Sequence, residues 1–226
     1  MNGIDTVFCV PGESYLAVLD ALADVKDQIR VVTCRHEAGA ANMAEAYGKL
    51  TGKPGLCMVT RGPGATHASI GVHTAHQDST PMILFVGQIA LTDRGRGAFQ
   101  EVDYREVFGG LAKWATEIET PARTVEIVER AFATALQGRM GPVVVALPEN
   151  ILHDDGGPAP VRAVRPRARP CPPPLWRRCA RRWRRPNAPC WCWAGPAGHR
   201  RPRTRWQGGA SASACRSVCR SGARTF

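Results

Sequence analysis

From residue 156 onward the sequence has no lysine, aspartate, glutamate, isoleucine, methionine or tyrosine. Those 71 positions hold four residues of the Val/Leu/Ile/Met type, against 17 Arg, 11 Pro and 6 Cys. So little aliphatic material is too thin for an ordinary packed core. The residues that do occur share G+C-rich codons, which is what a G+C-rich gene yields when read out of frame. Residues 153–226 are therefore expected to be a disordered Arg/Pro/Cys-rich tail, arising from a frame shift near residues 153–160.

Two further absences bear on location. No run of ~18 apolar residues occurs, which argues against a membrane-spanning helix. The opening MNGIDTVFCVPGES has no basic segment ahead of an apolar one, so it does not read as a secretory signal. A cytoplasmic protein is expected, in a compartment where thiols stay reduced. Cys9, Cys34 and Cys57 lie in apolar runs and read as small buried hydrophobes. The formal net charge of +11 also misleads about the front of the chain. Residues 1–155 carry 13 Lys+Arg against 19 Asp+Glu, a net of −6.

The front of the chain alternates between two periods. Short β-branched or apolar runs at 6–10, 29–34, 55–60, 82–87, 114–119 and 143–147 read as strands. Between them, 15–25, 37–50, 65–76, 104–111 and 124–136 read as helices, with Ser14 as a candidate N-cap for the first. Continuously apolar strands separated by helices predict a six-stranded, doubly wound parallel α/β sheet covered on both faces. A domain over residues 1–152 is expected. A sheet of this kind commonly has a helix ahead of its first strand, so the N-terminus is expected to be clipped.

Several strand ends carry residues with chemical potential. Glu37 follows a strand and starts a helix. A helix N-terminus favours an acid there by ~0.3–1 kcal/mol. Ligands of open α/β sheets also bind beyond the carboxyl ends of strands, where a partly buried carboxylate can handle a proton. Position alone leaves both readings open. The stretch TRGPGAT (60–66) allows close backbone approach to a ligand, but it is neither a Walker loop nor a GxGxxG loop. GRGAFQEVD (95–103) is a glycine-hinged loop with Phe99 and Gln100. His36, His67, His73 and His76 cluster in sequence, yet spacing supplies no acid or cysteine to complete a ligand set, and no metal is expected from them. In the tail, Trp176, Trp183, Trp191 and Trp193 among arginines would suit RNA by phosphate contacts and stacking. Cys190/Cys192 and Cys215/Cys219 lack zinc-ribbon register. No nucleic-acid partner is expected.

Taken in order, VFCVPGES, RHEAGAANMAEAYGKLTGKPG, TRGPGATHASIGVHTAHQDSTPMILFVGQ, GAFQEVD and GPVVVALPENI resemble the N-terminal pyrimidine-binding domain of thiamine-diphosphate enzymes. The nearest branch is the acetolactate synthase large-subunit group, and the resemblance spans about residues 3–152. It implies that Glu37 hydrogen-bonds the aminopyrimidine nitrogen of thiamine diphosphate and promotes formation of the ylide. It implies that Pro11 and Gly12 shape the pyrimidine pocket, and that Gly62, Pro63, Gly64 and Thr66 form the neighbouring loop. Phe99 and Gln100 match the substrate-side pair, with Gln100 also near the cofactor. The small residues 38–41 would leave room for the aromatic ring.

The chain departs from the family pattern at Cys9, Arg61, His67 and Glu149, where glycine, serine, asparagine and a channel lysine are usual. The resemblance implies a carboligase or decarboxylase acting on 2-ketoacids. Family members run to more than twice this length, and their GDG…N motif for Mg²⁺ and the diphosphate does not occur here; a flavin (FAD) is possible in the family. The chain is therefore expected to hold only the pyrimidine end of the cofactor. It is expected to be inactive alone, and to meet a second copy or a partner subunit across the pyrimidine-domain face. The alternative expectation is an inactive remnant or an association module.

Overall fold

A computed structural model of the chain describes residues 3–154. The expectations for the tail, including RNA and metal binding by it, lie outside the described residues, apart from 153 and 154.

Six parallel strands form one sheet in the order β2-β1-β3-β4-β6-β5. They are β1 (Thr6–Cys9), β2 (Arg30–Thr33), β3 (Gly55–Val59), β4 (Met82–Gln88), β5 (Trp114–Glu117) and β6 (Pro142–Pro148). Strand composition follows position in this order. GLCMV of β3 and PVVVALP of β6 are buried throughout, because helices cover both faces of the centre. Edge strand β2, RVVT, has exposed residues at both ends. Its polar ends suit an edge that no other strand pairs.

Alternation along each strand sends residues to two cores. Cys57, Val59, Leu84, Val86, Val144 and Ala146 face one side, with α2 (Glu37–Thr51), α3 (Pro63–Asp78) and α4 (Tyr104–Phe108). Leu56, Met58, Ile83, Val143, Val145 and Leu147 face the other, with α1 (Leu16–Asp24), α5 (Thr124–Leu136) and α6 (Glu149–His153). The doubly wound parallel sheet expected from the sequence is the observed fold. Cys9 and Cys57 are buried and Cys34 is half-buried, all three unbridged. Burial pushes the Cys57 thiol well above its ordinary range, so it stays a neutral hydrophobe.

Helices α2 and α3 touch through small residues. A Cβ on Gly71 would stand 2.6 Å from the Cβ of Ala41. Ala40 and Ala41 have no exposed surface. Ala41 packs against Gly71 of α3, while Gly39 has open space where its side chain would stand. No helix among the described residues is long and apolar enough to cross a membrane.

Several boundaries differ from the periodicity. The third helix begins at Pro63, two residues early, because proline at the first turn lacks only an N–H that has no helical partner anyway. Ser14 does not cap the first helix. It lies in a short turn, Glu13–Tyr15, and its buried hydroxyl pairs with the Thr60 hydroxyl at 2.8 Å. His36 is a side-chain cap the sequence reading did not anticipate, its Nδ1 accepting from the Ala38 N–H at 3.1 Å.

Candidate functional site

The chain runs from β1 to edge strand β2, then crosses back to place β3 on the other side of β1. That reversal is a switch point, the place beyond the carboxyl ends of two strands where open α/β sheets bind ligands. Tyr15 ties this end together by donating its hydroxyl to the Val10 carbonyl. Burial pushes the phenol well above its usual range, so it remains a donor.

Glu37 stands at this switch point, in the first turn of α2. Its side chain keeps 14% of its surface exposed, and His67 Nδ1 lies 3.0 Å from Oε2. His67 comes from the second turn of α3, so this contact joins the N-terminal ends of the two helices. The rings of His36 and His67 stack with centroids 4.8 Å apart.

Glycines form the wall beside the carboxylate. A Cβ on Gly64 would meet Thr60 Cγ2 at 2.9 Å and reach within 3.6 Å of Glu37 Oε1. A Cβ on Gly12 would come within 2.5 Å of Thr60 Cβ. Gly62 takes φ +58°, a conformation L-residues avoid, and its N–H donates to the Tyr104 hydroxyl at 2.8 Å. Burial pushes Tyr104 up to about 12, which keeps that hydroxyl neutral.

A second charged group stands on the same rim. Arg61 is buried, with one guanidinium nitrogen 2.9 Å from Glu13 Oε1 and another 3.3 Å from Glu149 Oε2. The loop after β4 completes the rim. Glu101 accepts from the N–H groups of Gly95 and Ala98, and these bonds, Gly95 first, hold its carboxyl below its ordinary value. Gln88 is fully buried and donates to the Val102 carbonyl at 2.8 Å. Arg94 pairs with buried Glu117 at the loop's base.

This arrangement offers one half-buried carboxylate with Oε2 on His67 and Oε1 beside Gly64. Residues 1–107 match the family described as thiamine pyrophosphate enzyme, N-terminal TPP binding domain. That part of the chain belongs to this family.

The relatives agree. The acetolactate synthase large subunit of Parasynechococcus marenigrum is 36% identical over 162 residues, 71% of this chain and 26% of the relative. The mitochondrial acetolactate synthase catalytic subunit of Saccharomyces cerevisiae is 38% identical over 150 residues, 66% and 22% of the two chains. The acetolactate synthase of Bacillus subtilis is 36% identical over 163 residues, 72% and 28%. The chain thus carries the N-terminal thiamine pyrophosphate-binding domain of acetolactate synthase-like enzymes, and spans about a quarter of the length of these relatives.

Within the domain, the structure joins Gly12, Gly64 and Glu37 around Thr60. Gln100 packs on the far side of the loop, its backbone and Cβ about the closest neighbours a Gly62 side chain would meet, at 2.8 to 3.3 Å. Pro63 and Thr66 belong to the first turn of α3, and the Thr66 hydroxyl turns back to the Pro63 carbonyl at 2.9 Å. Pro11 is exposed, and Phe99 is 74% exposed. Sequence reading missed Ser14, Thr60 and Tyr104 as supports of the loop. It also read Arg61 only as a departure, and His67 as a departure and a member of the histidine cluster, without their partners. Those partners lie 30 residues away for His67 and 88 for the Arg61–Glu149 pair, where no local pattern reports them.

Proposed function

We propose that this chain binds the aminopyrimidine end of thiamine diphosphate, with Glu37 as the carboxylate that meets the ring nitrogen. The observation that carries this reading is Glu37 itself. It is half-buried at the switch point, with Oε2 held by His67 and Oε1 beside Gly64. Without a side chain at Gly64, a flat ring can approach the backbone next to Oε1.

When bound, the cofactor supplies the stabilised carbanion for 2-ketoacid chemistry. The chain's own residues orient it and move a proton at Glu37 Oε1, while His67 fixes the carboxylate's orientation. Gly12, Gly62, Pro63 and Gly64 form the wall, with Pro11 and Thr66 at its margin. Gln100 stands at the loop near the cofactor, and Phe99 with Gln100 faces the substrate side. The diphosphate and Mg²⁺ are held outside residues 1–152, by a second copy or partner subunit, and a flavin, where used, is held there too. The parent reaction is carboligation or decarboxylation of 2-ketoacids in the cytoplasm, and this chain alone does not complete it. Residues 153–226 are then the product of a shifted reading frame.

A second reading, an association module needing a partner, is favoured by one surface feature. Met43 and Leu50 on α2 and Ile70 on α3 are exposed by 40%, 85% and 55%. Apolar side chains on the helix pair that carries Glu37 and His67 suit a covered face.

The test is saturation-transfer NMR of the full chain with thiamine. The pyrimidine methyl and ring proton are expected to receive more transfer than the thiazolium protons, and Glu37→Gln to lose most of it. Uniform transfer, or transfer unchanged in Glu37→Gln, would refute the reading.

A further inference from the structure

His36, Glu37 and His67 each present a donor atom, and all three atoms lie within 4.8 Å of one another. Among the described residues this is the one group of three or more His, Cys, Asp or Glu that converges in this way. The acid missing from the histidine spacing is Glu37, brought to His67 by the fold rather than by sequence proximity.

Two imidazoles and a carboxylate suit Zn²⁺, Co²⁺ or Ni²⁺. Mg²⁺ prefers oxygen donors in strict octahedral geometry, so this set discriminates against it. Metal–nitrogen bonds of ~2.0–2.1 Å in a tetrahedron put donor atoms ~3.4 Å apart. Closing from 4.8 Å needs only rotation of exposed side chains, and the His67 ring is 52% exposed. The two rings already stand side by side, inclined by 29°. A metal replacing the proton between His67 and Glu37 keeps those groups joined. His36 must give up its hydrogen bond from Ala38, because a neutral imidazole has one lone pair and Nδ1 spends it on that N–H; one such bond is a small cost beside two metal–nitrogen bonds. Because protons leave, binding weakens as pH falls.

We propose that His36, Glu37 and His67 form a site for a divalent transition metal ion of the Zn²⁺ class, and that its occupancy blocks Glu37 from the cofactor's pyrimidine. The blocking half rests on the cofactor reading given above; the metal site does not.

The full chain is titrated with Co²⁺ and followed by its visible d–d spectrum, then with Zn²⁺ displacing it. Thiolates in general also bind these ions, so the decisive quantity is the difference between the wild type and variants. His67→Asn and His36→Asn are each expected to lose a Co²⁺ equivalent whose spectrum has no thiolate charge-transfer band. The loss in affinity exceeds the roughly 10–100-fold that removing an outer partner of a ligand costs. His73→Asn, away from the cluster, leaves the spectrum unchanged. If His67→Asn and the wild type bind Co²⁺ alike, the site is refuted. In a second arm, Zn²⁺ is added to the thiamine sample. Loss of pyrimidine transfer in the wild type but not in His36→Asn supports exclusion, and transfer persisting at saturating Zn²⁺ overturns it. If thiamine never binds while the Co²⁺ difference stands, the cofactor reading and the blocking half fall together, and the metal site remains.

Discussion

Two charged groups share one rim of the sheet and are built oppositely. Glu37 is a carboxylate whose one side-chain partner, His67, is itself half exposed. Arg61 is buried between two carboxylates that are 69% and 45% exposed at their side chains. The first is held on one oxygen and left free on the other. The second spends both terminal nitrogens on its neighbours and joins the turn after β1, the loop after β3 and the start of α6. One group keeps an oxygen available, and the other fastens three chain segments. The departure at Arg61 and the departure at Glu149, read separately in the sequence, are one ion pair here. The inverted charge at position 149 answers the cation that position 61 introduced.

The strongest blow to the open group comes from its support rather than from itself. Tyr104→Phe removes the acceptor of the buried Gly62 N–H and leaves that donor without a partner. A loss of about 1–3 kcal/mol is expected in urea unfolding, with weaker thiamine transfer. Stability unchanged within error would mean that the loop does not need this bond.

The locked group responds next. Glu149→Lys puts a second cation against Arg61. Breaking a fully buried pair costs about 3–5 kcal/mol, but the exposure of Glu149 reduces the expected loss to about 1–2 kcal/mol. Arg61→Met frees both carboxylates to water and fills the site with an apolar chain. It is expected to change stability by less than about 1 kcal/mol in either direction. Equal losses for the two variants would erase the contrast between a broken ion pair and a removed one.

The smallest effect concerns the loop beside the open group. The Glu101 carboxyl is held below its ordinary 4.5 by the Gly95 and Ala98 amides. Its ordering of the loop is therefore complete above that value, and is lost as pH falls through the lowered one. Amide exchange at Gly95 and Ala98 is expected to accelerate on acidification in the wild type. In Glu101→Gln it is expected to be fast and independent of pH, after correction for intrinsic exchange.

Legibility in the sequence followed the range of the interactions. The strands were readable because central strands are apolar on both faces, and the helices because their faces repeat. Glu37 was found at a strand end, which a local pattern marks. Ser14 was misread as a cap because its partner, Thr60, is on another strand's end, 46 residues away. The packing of Ala41 on Gly71 of α3 was not legible, because only the folded helix pair brings them near. His36, His67 and Glu37 showed no complete ligand set in spacing, since the fold alone joins the two helix starts.

The central claim is that Glu37 receives the pyrimidine. It is tested most directly by the ¹³C carboxyl resonance of Glu37 in the glutamate-labelled full chain, assigned by its absence in Glu37→Gln. The account predicts that thiamine shifts this resonance in a saturable way, while those of Glu13 and Glu149 stay in place. A saturable shift at Glu13 or Glu149 with Glu37 unmoved, or no shift at any of the three, would contradict it.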